Sequence, residues 1–450
     1  MSRATFAGIF ALGLAARIAA SFVLSPSAES LLASAHHEHA SIAKNLAEGR
    51  GFRFNFFGDI DRPDLTSQQA PMVPGVAAGA YLLFGVETAA ALWFVVALQI
   101  VVGAFACAAV ADASRLWSED DRLGMIAGCV AAIYPPFVVA SLHLQALPWN
   151  LCWIALMLSG AARISKSLRG GGAMLAAGGA GGLYTDPILA VVFGSLVGWL
   201  LVKRDAEQSR RCLIAGLVVA AAVAPWIARN YAVHGRFVFI KDSLPYVFWQ
   251  GNNLHSAGTD KLLLTEADAA ALRGTTLASA MATAEAARKR SVCVNDVALT
   301  TIDLNELAAL PNESARMGWF GRRIRDELAS NPRRYPQMCL VRLKQWLWFD
   351  ETNPKSFIVA YRFGYLVLGL GALAGMIAAR RRFSPVSSAA IALTLVHVLV
   401  ITSARFRVCL ELLFVPYFAA AISAGFGLMK HFISLKTSQM PQISDSSIRA

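Results

Sequence analysis

The chain has 450 residues, 56% of them hydrophobic and only 16% charged, with a mean hydropathy of +0.50. Soluble chains of this length carry roughly a quarter charged residues, so a soluble globular protein is excluded and an integral membrane protein is expected. The formal net charge of +12 does not point to nucleic acid, because the basic residues lie in short clusters between apolar runs and no basic domain stands free of them.

The first apolar run, 4–24, has one arginine before it and Arg17 within it, and no small-residue cleavage site precedes a soluble domain; a retained first span is expected. Further runs follow at 90–111, 123–142, 147–162, 173–183, 188–202, 212–227, 357–378, 386–401 and 408–429. A span needs roughly 20 apolar residues, so several runs are complete and several short. Runs 173–183 and 188–202 are separated by "YTDP". One continuous helix would bury Asp186 and Pro187 near mid-membrane, so two short helices meeting at an outer bend are expected. The basic clusters decide the topology. With about ten spans and an inside N-terminus, Arg163/Lys166/Arg169, Lys203/Arg204/Arg210/Arg211, Arg380/Arg381/Arg382 and Lys430 all face the cytoplasm. The expected fold is therefore an all-α polytopic membrane protein of about ten transmembrane helices, both termini cytoplasmic, in the cell (inner) membrane.

This topology divides the chain into a transmembrane module, 1–228, with a first outer loop at 25–88; an extracytoplasmic, mainly α domain in the last large loop, 229–356; C-terminal transmembrane helices, 357–430; and a cytoplasmic tail, 431–450, expected to be disordered. Within 229–356, the alanine-rich stretch 266–290 reads as helix, and 315–328 and 335–349 as two amphipathic helices returning to the membrane. Trp346, Trp348 and Phe349 suit an interfacial aromatic belt. The seven cysteines form no CxxC pair, and only Cys293 and Cys339 lie in the long polar segment, either bridged or as separate thiols.

The candidate chemistry begins in the first outer loop, "HHEHASIAKNLAEGRGFRFNFFG", where Glu38 stands among His36, His37 and His39. A helix starting at Glu38 presents Glu38, Ile42 and Asn45 on one face and ends in a Gly-Arg-Gly turn. A carboxylate just outside a bilayer is suited to take a proton from a hydroxyl, and a neighbouring histidine such as His39 to pair with it or shuttle that proton. The alternative is a solvated loop acid. His36 and His39 with Glu38 also make a conceivable zinc or manganese set, but adjacent helical positions diverge and no further ligand cluster appears. No metal or other cofactor is therefore expected, a divalent ion being the alternative. Asp59, Asp61 and Asp64 lie on the proline-punctuated "DIDRPDLTSQQAPMVPG" and are alternative bases, and 76–84 is too short to span and reads as an interfacial helix.

Arg229 emerges in "PWIARNYAVHGRFVFIKDSLPYVFWQGNN", at the depth of lipid headgroups, where arginine makes bidentate contacts with phosphate or simply snorkels. Arg405 and Arg407, in "SARFRVCLELLFVP", lie on the outer side against the positive-inside bias; an anionic lipid phosphate is one reason, and Glu411 one neutralising partner. Asn45, Gln69, Asn252 and Asn253 are candidates for a sugar or acceptor pocket. Asn312-Glu313-Ser314 matches the N-glycosylation pattern, which carries no weight by itself.

Together, "EHASIAKNLAEGRGF", "TSQQAPMVPGVAAGAYLLFG", "PWIARNYAVHGRFVFIKDSLPYVFWQGNN" and "RFRVCLELLFVP" resemble the polyprenol-phosphate-sugar-dependent glycosyltransferases of the GT-C fold, a group that includes protein O-mannosyltransferases and the aminoarabinose transferases that modify lipid A. The resemblance covers nearly the whole chain in order, and the PWxxRN…GNN segment is its most specific part. It implies a GT-C-like module whose cavity opens outward under an extracytoplasmic cap. A sugar arrives on a polyprenyl phosphate and passes, usually with inversion, to a glycan, lipid or protein acceptor. The family's first-loop acid maps onto Glu38 as base, and its phosphate-binding arginines onto Arg229, Arg405 and Arg407. The chain departs from the family pattern at Ala35, where many relatives carry aspartate, at His39 in place of tyrosine, and at Ala70-Pro71 in place of Pro-Pro. Membrane lipids and the lipid-linked sugar are the expected partners, and the protein is expected to be a monomer. The alternatives are a lipid-linked glycan ligase or polymerase, and a non-catalytic lipid-binding or transport relative.

Overall fold

The computed structural model describes residues 2–24, 31, 38–58, 62–264, 290–353, 356, 359–379 and 383–438. His36, His37, Asp59, Asp61 and the helix expected at 266–289 lie outside the described residues.

In chain order, α1 (Arg3–Leu24) is followed by the short α2 (Glu38–Ala47), the strands β1 (Arg53–Phe54) and β2 (Asp64–Leu65), and α3 (Met72–Phe84). Then come α4 (Ala89–Ser118), α5 (Asp121–Ile133), α6 (Pro135–Ala140), α7 (Leu147–Ser165), α8 (Gly171–Thr185), α9 (Leu189–Val202) and α10 (Ala206–His234). The next segment holds α11 (Leu244–Asn252), the antiparallel pair β3 (Lys261–Leu264) and β4 (Arg290–Cys293), then α12 (Asn295–Ala298), α13 (Thr301–Ala309), α14 (Glu313–Ser330) and α15 (Arg334–Leu347). Three helices close the chain: α16 (Val359–Ala379), α17 (Ser384–Leu399) and α18 (Ala404–Ser438).

Five of these helices are long and apolar enough to cross a membrane: Arg3–Leu24, Ala89–Ser118, Ala206–His234, Tyr361–Ala379 and Ala404–Phe426. Their outward faces carry exposed apolar side chains such as Leu217, Leu370 and Ile377, as lipid contact requires of a multi-pass membrane protein. α4 is the central post, with α1, α3, α5 and α7 packed around it. Alanines dominate its contact surface (Ala104, Ala108, Ala111, Ala113), because helices in lipid associate by close van der Waals approach and small side chains permit it. Two buried charged groups inside the bundle find partners. Arg17 donates to Ser141 Oγ at 3.1 Å and to the Gly13 carbonyl at 3.0 Å, and Asp112 accepts from Ser159 Oγ at 2.6 Å and from Arg163 Nη2 at 2.8 Å.

Among the described residues the apolar runs lie largely on helix, with two internal breaks. The pair α8/α9 breaks at Asp186–Pro187, as the sequence predicts. The run 123–142, expected to be continuous, breaks at Tyr134, whose ψ of 117° is extended. Pro135 and Pro136 explain this, since a proline ring disfavours the helical conformation of the residue before it. At the end of the chain, α18 continues to Ser438, well into the stretch expected to be disordered.

Two further expectations change. Trp346 and Phe349 are buried and only Trp348 is exposed, so the three do not form a belt; Trp346 donates to Thr394 Oγ1 at 3.0 Å and stacks on His397 with centroids 4.2 Å apart. Cys293 and Cys339 are separate free thiols.

The long connections gather at one end of the bundle around an aromatic core of Phe56, Trp249 and Phe320, with Tyr246 wedged among them at 4.8 Å from Phe56 and 5.0 Å from Phe320. That core fixes Phe54, Phe56 and Phe57 of the first long connection against α11 and α14.

Candidate functional site

The centre of this end is the segment Thr66-Ser67-Gln68-Gln69. β1 and β2 pair only as Arg53 with Leu65 and Phe54 with Asp64, and the chain then leaves the ladder with Thr66 N–H donating to the Phe52 carbonyl at 3.1 Å. From there, side chains of distant elements take up its polar groups. Arg229 Nη1 donates to the Thr66 carbonyl at 2.6 Å and to Ser67 Oγ at 2.9 Å, while Nη2 reaches the Phe52 carbonyl at 3.3 Å. Ser67 Oγ donates to Asn230 Oδ1 at 2.7 Å and lies 2.8 Å from His234 Nε2. The Ser67 carbonyl accepts from Asp242 N–H at 2.8 Å. Glu313, fully buried at the start of α14, accepts from Ser67 N–H at 2.8 Å and from the Thr66 hydroxyl.

At the other end of this segment Gln69 donates its amide N–H to Glu38. Glu38 is the first residue of α2, half-buried, where a carboxylate also meets the unpaired N–H groups of the helix start. His39 occupies the next helical position. Ile42 and Asn45 lie on the buried side of α2, and Asn45 serves the turn that ends it: its amide donates to the Arg53 carbonyl at 3.0 Å and its carbonyl accepts from Arg50 Nε at 2.7 Å. Gly49 and Gly51 have φ of +74° and +86°, a conformation in which a Cβ is strained, so the Gly-Arg-Gly sequence is a requirement of the turn. Tyr246 lies near Glu38; burial first, then the neighbouring Cys293 and Glu38, holds its phenol well above the usual range. Asp64 is paired with Arg316.

The "GNN" motif holds a third element. Gly251 packs so closely on the turn after α17 that a Cβ there would sit 2.3 Å from the Val400 carbonyl oxygen. Asn252 donates to the Phe248 carbonyl at 2.8 Å and accepts from Arg342 Nη1 at 3.0 Å; Asn253 donates to the Trp249 carbonyl at 3.0 Å and accepts from Ser256 N–H at 3.0 Å. Both side chains are buried. Arg342 bridges to the Val398 carbonyl at 2.6 Å, and Asp350 accepts from Ala404 N–H at 3.0 Å, so the start of α18 is tied to the same assembly. The two arginines there differ. Arg407 is fully buried, paired with Glu411 at 3.1 Å and 3.9 Å over the Tyr365 ring, whereas Arg405 is exposed beside Phe406.

The structure thus brings Glu38, Gln69 and Arg229 onto one segment, places Asn252 and Asn253 in the scaffold beneath the Arg405 turn, and matches Arg407 with an acid. Sequence reading missed Gln68, His234, Asp242 and Glu313. Ligand atoms of the last three lie within 4.8 Å of one another. Arg236 takes both oxygens of Asp242 at 2.6 Å, while Glu313 accepts from the donors of Thr66 and Ser67. An acid at the start of an amphipathic helix, after an Asn N-cap that accepts from Ala315 N–H at 2.9 Å, was the available signal for Glu313. The partner, 246 residues away, was not.

Burial raises the Glu313 carboxyl from 4.5 to about 7 against the opposing pull of the Thr66 and Ser67 hydrogen bonds and of Arg229; Asp242 adds to the rise. Between those two values the folded protein keeps a proton that the unfolded chain has released. The associated stability is therefore complete below about pH 4.5 and is lost as pH rises through about 7, by an amount of the order of 3 kcal/mol. Thermal unfolding across pH 5–8 is expected to show this slope in the wild type and a flatter one in Glu313→Gln. Parallel slopes would remove Glu313 as the titrating group.

No family model matches the chain, and no curated protein matches it. Among solved structures it is similar to the archaeal oligosaccharyltransferase AglB from Archaeoglobus fulgidus in complex with an inhibitory peptide and a dolichol-phosphate, with 15% identity and a TM-score of 0.47 over 90% of this chain and 48% of that one. It is also similar to ArnT from Cupriavidus metallidurans bound to undecaprenyl phosphate, with 17% identity and a TM-score of 0.36 over 90% of this chain and 76% of that one. The apo state of ArnT gives 16% identity and a TM-score of 0.33 over 85% and 72%. The chain spans about half the length of AglB.

Proposed function

We propose that this protein is a membrane glycosyltransferase that moves a sugar from a polyprenyl-phosphate donor to a hydroxyl-bearing glycan, lipid or protein acceptor on the extracytoplasmic side. The supporting observation is that an acid and a guanidinium meet the two ends of one four-residue segment: Gln69 bonds Glu38, and Thr66 and Ser67 bond Arg229. Glu38 takes the proton of the acceptor hydroxyl as its oxygen attacks the sugar's C1. The bond from C1 to the lipid phosphate breaks, and the phosphate leaves with the electron pair. Gln69 orients the carboxylate; Arg229 holds the segment and contributes positive charge to its Thr66 end. Arg405, exposed and without a carboxylate partner among the described residues, is the donor-phosphate contact at the start of α18, while Arg407 is committed to Glu411. In this reading the chain crosses the inner membrane about ten times, with 229–356 outside and both termini in the cytoplasm.

The test is transfer in detergent or nanodiscs from a labelled polyprenyl monophosphate sugar, followed by release of polyprenyl phosphate. Turnover only with a diphosphate-linked glycan would make the protein a ligase or polymerase instead. In the same assay Arg405→Ala is expected to raise the apparent KM for the lipid donor about tenfold or more with a smaller change in kcat. An unchanged KM would take Arg405 out of donor binding.

A further inference from the structure

Thr66, Ser67 and Gln69 of the segment 66–69 are each held by side chains of other elements, and Gln68 is not. The Gln68 backbone N–H donates to Thr66 Oγ1 at 2.9 Å, but its side chain, 2% exposed, has neither its amide nitrogen nor its amide oxygen in a hydrogen bond. Among the described residues it is the only side-chain amide whose nitrogen and oxygen are both fully buried without a partner; for Asn55, Asn150, Gln208 and Gln345 only the oxygen is in that state. A buried amide in this state costs free energy, and native proteins reserve such groups for a reason. Here the neighbours supply it. Thr66 and Ser67 are clamped by Glu313, Arg229 and Asp242, and the next residue, Gln69, is bonded to Glu38. The clamp holds Gln68 in place at the segment that carries the proposed chemistry, and a carboxamide has one donor face and one acceptor face, as adjacent hydroxyls of a sugar ring do.

We propose that Gln68 is a specificity-determining residue whose carboxamide exchanges hydrogen bonds with hydroxyls of the donor's sugar ring. This rests on the glycosyltransferase reading and deepens it. Because both ends are buried in the ligand-free form, neighbouring side chains part as the sugar enters, and the hydrogen bonds gained favour that opening for a hydroxyl-bearing headgroup over a bare phosphate.

The test uses the full chain in nanodiscs, with undecaprenyl phosphate and its mannosyl, glucosyl and arabinosyl forms as probes. Gln68→Met keeps length and volume and removes both hydrogen-bonding ends. The wild type is expected to bind at least one sugar-bearing lipid about tenfold or more tightly than undecaprenyl phosphate, as one well-made hydrogen bond allows. The variant is expected to lose that preference, keep its affinity for undecaprenyl phosphate, and melt at a higher temperature when ligand-free, since an unsatisfied buried group has been removed. A variant that retains the preference, that melts lower, or that fails to fold overturns the assignment, because Gln68 then serves the scaffold; the glycosyltransferase reading survives that result. A wild type that binds none of the four lipids overturns both.

Discussion

Glu38→Gln is expected to bind the lipid donor as the wild type does and to transfer its sugar about a hundred- to ten-thousandfold more slowly, the range for losing a positioned general base. The substitution keeps the side chain's size and its place at the start of α2, and a glutamine oxygen still accepts from the Gln69 amide. What it removes is the capacity to take a proton. Single-turnover transfer and donor binding, measured on the same preparation, separate these effects. Wild-type turnover would pass the role to another acid. Of the alternatives, Asp64 is committed to the Arg316 guanidinium; Asp59 and Asp61 lie outside the described residues.

Arg229→Ala carries the second large effect, and it falls on stability and activity together. The guanidinium donates to Thr66, Ser67, Asn230 and Phe52 and is among the cations that offset the buried Glu313. Truncating it removes charge-assisted hydrogen bonds worth about 1.5–3 kcal/mol and leaves the Thr66 carbonyl without that donor. A marked fall in melting temperature and loss of transfer are expected. Lysine recovers only part of each, because a single ammonium cannot match a planar fork that reaches the Thr66 and Phe52 carbonyls at once. Full rescue by Arg229→Lys would show that charge alone matters there, and would detach the geometry of the segment from its function.

Several elements were readable along the chain because their causes are local. The apolar runs became helices, Asp186–Pro187 broke one pair, and Gly49 and Gly51 turned the chain where the sequence placed them. The break at Tyr134 is equally local, because the Pro-Pro step after it outweighs the apolar character of the run. The site was only half legible. Glu38, Gln69 and Arg229 stood in distinctive motifs, but Asn45, Asn252 and Asn253, which look like pocket residues in a string of letters, have their amides engaged in a turn and a helix end. The pair Arg405/Arg407 divided according to which faced Glu411, one helical turn on.

By itself the sequence determined that this chain lies in a membrane, where most of its apolar helices fall, and which motifs carry polar groups at their ends. Those are consequences of composition and short-range sterics. The tertiary structure alone decided that Glu313, from a segment 246 residues away, seats the Thr66–Ser67 pair, and that Gln68 is left without partners. A buried polar group is satisfied or stranded by whatever the fold brings beside it, and no local pattern records that neighbour.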